Sequence, residues 1–420
     1  MDCAFTIVAK NYLGLAVILK KSFLKHNNIP FYIVIADEVD FTIDELGVLI
    51  AKDCLNINTE LWNEITLKYD LTEFCTSIKP KCFKYFLNEL GFSKVLYFDP
   101  DILFFNDINY LLSLLDSYEM VLTPHISFPQ KEYTGDLKEN QFLGSGVFNL
   151  GFCALRTSNN INLILDWWDN RLMSMCYSDV YEYLYTDQHW MDLMPCFLGE
   201  RLFVLRNIGY NLAPWNFFER EVIHDNECYK VKKRETKDLS SIDLFPLVFV
   251  HYSGYNYDSF LKGNYMQKNI PNILQYPDVI SVLDEYKNSI STNLDIYLKY
   301  IKLDYSYNFY KDRNKTVINS FQRRLFRKHI KTNSLSENPF FDSENSFYSY
   351  LKKNKLLSRN NKSDKVTISN VKGLDKKVFL LNMVFIVIFK ILGYNTYIYI
   401  IKAMRYFSRY ENHFFLLRRK

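Results

Sequence analysis

Between residues 4 and 9 the chain is apolar without alternation. Asn11 offers an N-cap, a helical pattern runs on to about residue 24, and a second continuous apolar run covers 31–36. Non-alternating runs of this kind predict strands of a parallel sheet covered on both faces, and their order predicts a βαβ opening. The same reading predicts a helix over 72–90 and strands at 94–98, 120–123, 147–155 and 247–250, with helices over 161–173 and 187–193. Past about residue 260 the pattern turns helical, most clearly at 279–286 and 294–303.

A stretch over 332–365, heavy in Ser, Asn and Lys, reads as a polar linker with interspersed aromatics. Beyond it, 378–389 is apolar except for Asn382. Its 12 residues fall short of the roughly 20 that cross a bilayer, and Lys390 ends it. A second aromatic and aliphatic patch spans 394–404. The pattern thus predicts an α/β domain over 1–260, a helical extension over 261–331, the linker over 332–365 and a basic, apolar tail over 366–420. No internal repeat is present, which excludes solenoids and propellers.

Composition narrows the class further. With 48% hydrophobic and 17% aromatic residues but only 13 Gly and 11 Pro in 420, the chain is globular rather than disordered or collagen-like. The net charge of +4 is unevenly placed. Residues 365–420 carry 11 Lys or Arg against Asp375 and Glu411, a local +9 that leaves −5 on residues 1–364. An acidic body lacks the basic face that nucleic-acid binding requires, so an electrostatic partner belongs to the tail. The eight cysteines form no C-x-x-C pair and none stands at zinc-ligand spacing with a histidine. They read as small buried hydrophobes of a reducing compartment. The start lacks a charged segment before its short apolar run, so a cytosolic chain is expected.

Two carboxylates, Asp99 and Asp101, interrupt the apolar run at the end of the strand over 94–98, with Pro100 between them. Placed at i and i+2 in one tight turn, they form a hard-oxygen site suited to Mg²⁺ or Mn²⁺. In open α/β sheets ligands gather at such carboxyl ends of strands. Taken alone, the pair is equally a solvated turn. Gly144-Ser145-Gly146 precedes a strand rather than a helix and reads as a flexible turn, not a phosphate loop.

The order of segments around this pair resembles the GT-A glycosyltransferases that use a D-x-D motif, of the family-eight type that extends lipopolysaccharide. The resemblance rests on Ala9-Lys10-Asn11-Tyr12, Lys84, Val95 through Asp101, Phe148-Asn149-Leu150-Gly151, Thr186-Asp187-Gln188, Asn211 through Asn216 and Phe249 through Gly254. It runs over roughly residues 4–260 and implies a Rossmann-like α/β fold with a mostly parallel central sheet and flanking helices.

The resemblance further implies that Asp99, Asp101 and His251 bind Mn²⁺ or Mg²⁺, which bridges the donor diphosphate and neutralises the departing nucleotide. It places Ala9, Asn11, Tyr12, Asp37, Lys84, Asn149 and Gly254 around the donor, and Asp187 and Gln188 on the reacting face. Trp190, Trp215 and Asn216, with Tyr210 and Tyr252, would form the acceptor cleft. Each residue also has a plain structural role open to it. His251 would be a strand-end histidine, Asp187 the N-cap of the following helix, Asp37 a turn carboxylate and the aromatics core packing. Lys84 stands where the family carries Arg, with Lys79 close by, and either would otherwise be a solvated helical lysine.

Together these readings predict a metal-dependent transferase moving a hexose from a nucleotide sugar, UDP-linked, to a lipid-linked or cell-surface glycan, with retention. The apolar patches beside Lys and Arg suggest that the tail lies on anionic lipid at the inner face of the plasma membrane. The basic segment Arg323-Arg324-Leu325-Phe326-Arg327-Lys328 would add to that anchor. The rivals are a nucleotidyltransferase, which would want a glycine-rich loop that 9–14 does not offer, and an inactive relative acting as a membrane-bound binding or assembly protein.

Overall fold

The computed structural model describes residues 1–130, 137–225, 228–234, 243–270, 272–332, 337–357 and 373–417. The chain divides into two compact units. The first is Met1–Ile57 with Leu71–Tyr305, and the second is Asn58–Asp70 with Ser306–Lys420.

The first unit is built on a seven-stranded sheet. Its strands are β1 (Asp2–Val8), β2 (Phe31–Ile35), β3 (Val48–Ile50), β4 (Lys94–Phe98), β6 (Met120–Pro124), β7 (Phe148–Arg156) and β8 (Leu202–Val204), in the order β8-β6-β7-β4-β1-β2-β3. All neighbours run parallel except β7, which is antiparallel to β4 and β6. The open, mostly parallel sheet with flanking helices is therefore the one expected from the sequence. A short pair beside it joins β5 (Ile102–Phe104) to β11 (Phe249–His251), antiparallel, with Ile102 opposite His251. A hairpin of β9 (Arg220–Asp225) and β10 (Cys228–Lys233) follows β8; the hydrophobic pattern had not marked it.

Helix α1 (Leu13–His26) is buried on both faces. Ala16, Val17, Leu19 and Phe23 pack on the sheet, while Leu15 and Ile18 join a second core with Leu212, Val250 and Tyr286. Its N-terminus is led in by a 3-10 turn at Lys10–Tyr12, so Asn11 lies in that turn and does not cap the helix.

The expected helix over 72–90 is instead broken. It forms Leu71–Ser77, then α2 (Lys79–Lys84), then a widened turn at Tyr85–Glu89, because Pro80 cannot continue the preceding ladder and starts a new helix. Further along are α3 (Asn109–Ser117), α4 (Asn159–Met175) and the short α5 (Gln188–Met191).

Residues 261–305, expected to begin a separate extension, belong to the first unit. Helices α6 (Ile280–Thr292) and α7 (Leu294–Ile301) close its second core. At Gly14 a Cβ would meet Tyr297 Cα at 2.8 Å, so glycine is what lets α7 lie against α1.

The second unit borrows the helix Thr59–Lys68 from between β3 and α2. Asn58 caps it, and the indole of Trp62 donates to Tyr307 Oη at 2.7 Å. Arg323, on the helix Ser320–Ile330, is buried and donates to the carbonyls of Thr66, Leu67, Tyr69 and Tyr307. Arg327 is buried against Glu411 at 3.0 Å. These two arginines hold the fold and do not face lipid as the sequence suggested. Part of the expected linker is likewise structured: Ser346 caps a helix at Phe347–Lys353 whose Phe347 packs on Phe326. The remainder, 333–336 and 358–365, lies outside the described residues, as do 366–372 and 418–420 of the tail.

The two tail patches form one helical stretch, Leu374–Phe407, interrupted at Gly393 with φ +74°. Among the described residues it is the one helix long and apolar enough to cross a membrane.

Candidate active site

The site assembles at the carboxyl end of β4, between the half of the sheet that continues through β1 to β3 and the half that continues through β7 to β8. Crevices of this kind open where strand order reverses. Asp99 N–H donates to Gly151 O at 2.8 Å, so β7 holds the start of the D-x-D turn. Tyr252 N–H donates to Asp101 O at 2.8 Å, so β11 holds its end.

Register does the rest. With Ile102 opposite His251, the imidazole lies beside both carboxylates, its Nε2 3.0 Å from Asp101 Oδ1 and 3.6 Å from Asp99 Oδ2. One ligand atom from each of Asp99, Asp101 and His251 lies within 4.8 Å of the others. Two carboxylates and one imidazole form an oxygen-rich set that suits Mn²⁺ or Mg²⁺.

The surroundings are shaped to this cluster. A Cβ on Gly151 would fall 2.3 Å from His251 Cε1, so only glycine leaves room for the ring. His251 Nδ1 lies 3.3 Å from Asn149 Oδ1, which also accepts from Asn211 Nδ2 at 3.1 Å. Asn149 Nδ2 lies 3.4 Å from His125 Nε2. Burial lowers the pKa of His125 to about 4, so the ring is neutral. With Nδ1–H directed to Val147 O, its Nε2 is free to accept from Asn149. That relay turns Asn149 Oδ1 toward His251 Nδ1–H and leaves Nε2 pointing at the carboxylates, as a metal-binding histidine requires. Asn149 thus supports His251 in addition to the donor role the resemblance gave it.

Burial works against the charged form of His251, but Asp101 and Asp99 outweigh it and raise its pKa. Burial likewise raises that of Asp99, against the opposing pull of Lys79 and His251. Without a cation, the cluster holds a proton between a histidine and two acids.

Lys79 is the cation beside it. Its ammonium is buried, 2.5 Å from Asp187 Oδ2, 2.9 Å from Leu150 O and over the Tyr97 ring at 4.1 Å. Tyr97 Oη in turn donates to Asp99 Oδ1 at 2.6 Å. Burial opposes the Lys79 charge, but Asp187 and Asp99 hold its pKa above the ordinary value. Lys84, assigned this place from the sequence, instead lies on the outer side of α2 paired with Asp166 of α4, with 34% of its side chain exposed. The break at Pro80 resets the helical phase, and Lys79 rather than Lys84 is turned inward.

Asp187 occupies the N-cap position of α5, yet its side chain makes no capping bond; it faces Lys79. The residue before it, Thr186, has φ +48°, a strained conformation for a β-branched residue, and its hydroxyl donates to Asp187 at 3.1 Å. Gln188 is committed to backbone: its Oε1 accepts from Leu150 N and its Nε2 donates to Ser145 O. It braces the Gly146 turn rather than presenting a free amide.

Ala9, Asn11, Tyr12 and Asp37 gather at the carboxyl ends of β1 and β2. Asp37 accepts from the N–H groups of Glu38 and Lys10, and Asn11 Oδ1 is buried without a partner. Burial and the charge of Asp101 raise the Tyr12 pKa to about 12, which places its hydroxyl near the cluster. Gly254 takes φ +77° in the turn after β11, where a Cβ would strike Gln267.

The expected acceptor aromatics separate. Trp215 meets His251 and His125 edge to face at 5.2 Å each, and its buried indole N–H has no acceptor. Trp190 packs on Trp167 of α4, Tyr210 on Phe249, and Tyr252 is stacked on Tyr286 at 4.0 Å. Asn216 ties together Ala213, Asn211 and His125. These four serve packing and the backbone. A cleft of about 770 Å³ elsewhere, lined by Lys21, Lys25, Phe105, His224, Tyr229 and Lys230, holds none of the cluster.

No family model matches the chain, and no curated protein matches it in sequence. Among solved structures it is similar to the galactosyltransferase LgtC in complex with donor and acceptor sugar analogs, at 17% identity over 69% of this chain and 96% of that one, TM-score 0.37. It is similar to the bifunctional glycosyltransferase WbbM at 12% identity over 72% of this chain and 52% of that one, TM-score 0.38. Mouse xyloside xylosyltransferase 1 is also similar, at 12% identity over 51% and 88%, TM-score 0.31.

Proposed function

We propose that the protein is a metal-dependent glycosyltransferase that moves a hexose, with retention, from a UDP-linked donor to a lipid-carried glycan at the cytosolic membrane face. The observation that carries this reading is the convergence of Asp99, Asp101 and His251 at the carboxyl end of β4, with the buried Lys79–Asp187 pair beside them.

Asp99, Asp101 and His251 would hold Mn²⁺ or Mg²⁺, which supplies charge neutralisation for a departing diphosphate. Lys79 adds a fixed positive charge on the same side. In the transfer, the bond from the anomeric carbon to the diphosphate breaks and a bond to the acceptor oxygen forms, while the acceptor proton passes to the leaving phosphate. Asp187, kept ionised by Lys79, presents negative charge to the positive character that develops at that carbon. Trp215 offers its free N–H and an indole edge to the bound sugars. Asn11 and Asp37 would read the nucleoside.

The inactive-relative reading rested on Lys84 replacing an arginine. With Lys79 as the inward cation, that support is gone. The nucleotidyltransferase reading still lacks a glycine loop, since 10–12 form a 3-10 turn instead.

The test is incubation with UDP-glucose, UDP-galactose and GDP-mannose, with and without Mn²⁺, followed by measurement of released nucleotide. Mn²⁺-dependent release from a UDP-sugar is expected, abolished by Asp99→Asn with Asp101→Asn. No release from any donor, together with no thermal stabilisation by UDP and Mn²⁺, would overturn the proposal.

A further inference from the structure

The tail helix does not run straight. The Phe385 and Phe389 rings lie 6.2 and 5.4 Å from the Tyr397 ring. In an unbroken helix these residues, 12 and 8 positions from Tyr397, would stand about 18 and 12 Å from it along the axis. Gly393, at φ +74° and ψ 172°, is the point at which the two arms turn back on each other. No residue of Leu374–Phe407 is buried, although nearly all of 378–389 is apolar.

The chain then returns to the second unit. Tyr410–Leu417 packs on the helix Ser320–Ile330 through Phe321 with Tyr410, His329 with Phe414 and Arg327 with Glu411. A segment that bends in its middle and ends docked on a folded unit does not make a single crossing of a membrane.

We infer that Leu374–Phe407 is a re-entrant hairpin that enters one leaflet of an anionic bilayer and leaves from the same face. The inference deepens the membrane association proposed above and rests on it. Three features select this occupant and this mode. The run 378–389 is about 18 Å long as a helix, close to half of a roughly 30 Å hydrocarbon core. It is apolar on all sides except at Asn382, so it lacks the polar face that a helix lying flat on a membrane needs. Cations flank the open end on both arms, with Lys376 and Lys377 on one and Lys402, Arg405 and Arg409 on the other, where anionic headgroups would sit. Lys390 stands one turn before the bend and can snorkel along the arm.

The experiment measures depth without reference to catalysis. In the full chain with the exposed Cys196 and Cys228 changed to serine, a nitroxide is attached in turn at Phe379→Cys, Ile391→Cys, Tyr399→Cys and Tyr406→Cys. These residues are 67%, 72%, 71% and 57% exposed, so the labels do not disturb packing. Accessibility to oxygen and to a water-soluble nickel chelate is read on phosphatidylglycerol-containing vesicles and on phosphatidylcholine vesicles.

The hairpin places residues 379 and 406 shallow, 399 deeper and 391 deepest, on the anionic vesicles. Four labels at one depth, or a label at 406 reachable only from the vesicle lumen, would overturn the hairpin and leave membrane association standing. Labels that stay in water, or that are shielded without lipid by a second copy of the chain, would overturn both. Neither result bears on nucleotide release, which tests the transferase reading separately.

Discussion

At Gly151 a methyl group would lie 2.3 Å from His251 Cε1 and 2.9 Å from Asn149 Oδ1, and both are hemmed in by buried neighbours. Gly151→Ala is therefore expected to push His251 off the carboxylates and weaken Mn²⁺ binding by about 10–100-fold, the range found when groups supporting a metal ligand are lost. Isothermal titration of the two proteins with Mn²⁺ checks this. Lys79 and Lys84 make a second contrast. Lys79→Met leaves Asp187 buried and unpaired, which costs about 3–5 kcal/mol, whereas Lys84→Met breaks an exposed pair worth at most about 1 kcal/mol. Urea midpoints should separate the two variants clearly, and only the first should lose nucleotide release. A third prediction concerns His125, whose folded pKa is about 4 while the unfolded chain takes up its proton near 6.5. Between those values the unfolded chain binds more protons, so folding weakens as pH falls through the window, by roughly 3 kcal/mol. In metal-free protein, that loss should be smaller by this amount in His125→Gln, read from urea midpoints at pH 7 and pH 4. The metal ligands were legible in the chain because a strand ending in D-x-D is local, and His251 because its segment is distinctive. His125 and Lys79 were not singled out, since their roles depend on which way a ring nitrogen and a broken helix face.

Elements were read well where hydrophobic runs were continuous and poorly where one residue changed the geometry. The strands over 94–98 and 120–124 lie within a residue of their expected ends, because a run buried on both faces has no other reading. Pro80 and Gly393 each altered an element without altering its hydrophobic pattern, one breaking a helix and the other folding the tail back on itself. The basic helix Ser320–Ile330 was misjudged for a related reason: charge on a helix says nothing of what faces it. Arg323 closes the carbonyl ends of the helix Thr59–Lys68, so Arg323→Met strands several buried carbonyls at about 1–3 kcal/mol each. Such a variant should melt earlier yet bind anionic vesicles as before while it remains folded. Replacing Lys376, Lys377, Lys402 and Arg405 with glutamine should do the reverse, leaving the melting temperature in place and removing roughly 1 kcal/mol of lipid affinity per charge. Thermal melts and vesicle co-sedimentation on the same samples distinguish the two effects.

On the scale of the whole chain, sequence position misleads about what folds with what. The segment Asn58–Asp70 falls inside the stretch that reads as one α/β domain, but its helix is completed by Tyr307 and Arg323, some 250 residues later. No local pattern announces such a pairing, because the apolar face of Thr59–Lys68 looks the same whichever unit buries it. The consequence is that the site-bearing unit cannot be cut out at its apparent end. A chain stopped after Tyr305 keeps Asp99, Asp101, His251, Lys79 and Asp187 but leaves Trp62, fully buried in the intact protein, without Tyr307 and with its surroundings removed. Exposing a tryptophan and several leucine-sized side chains, each contributing roughly 1.5–3 kcal/mol by burial, exceeds what a marginally stable fold tolerates in one region. That truncation is expected to aggregate or to lose its cooperative transition. A chain that keeps 306–357 and 409–417 but replaces the hairpin with a flexible linker should stay soluble, melt cooperatively and release nucleotide. Calorimetry and the nucleotide assay on both decide the matter. A stable, active chain ending at Tyr305 would mean that the helix Thr59–Lys68 finds its partners elsewhere.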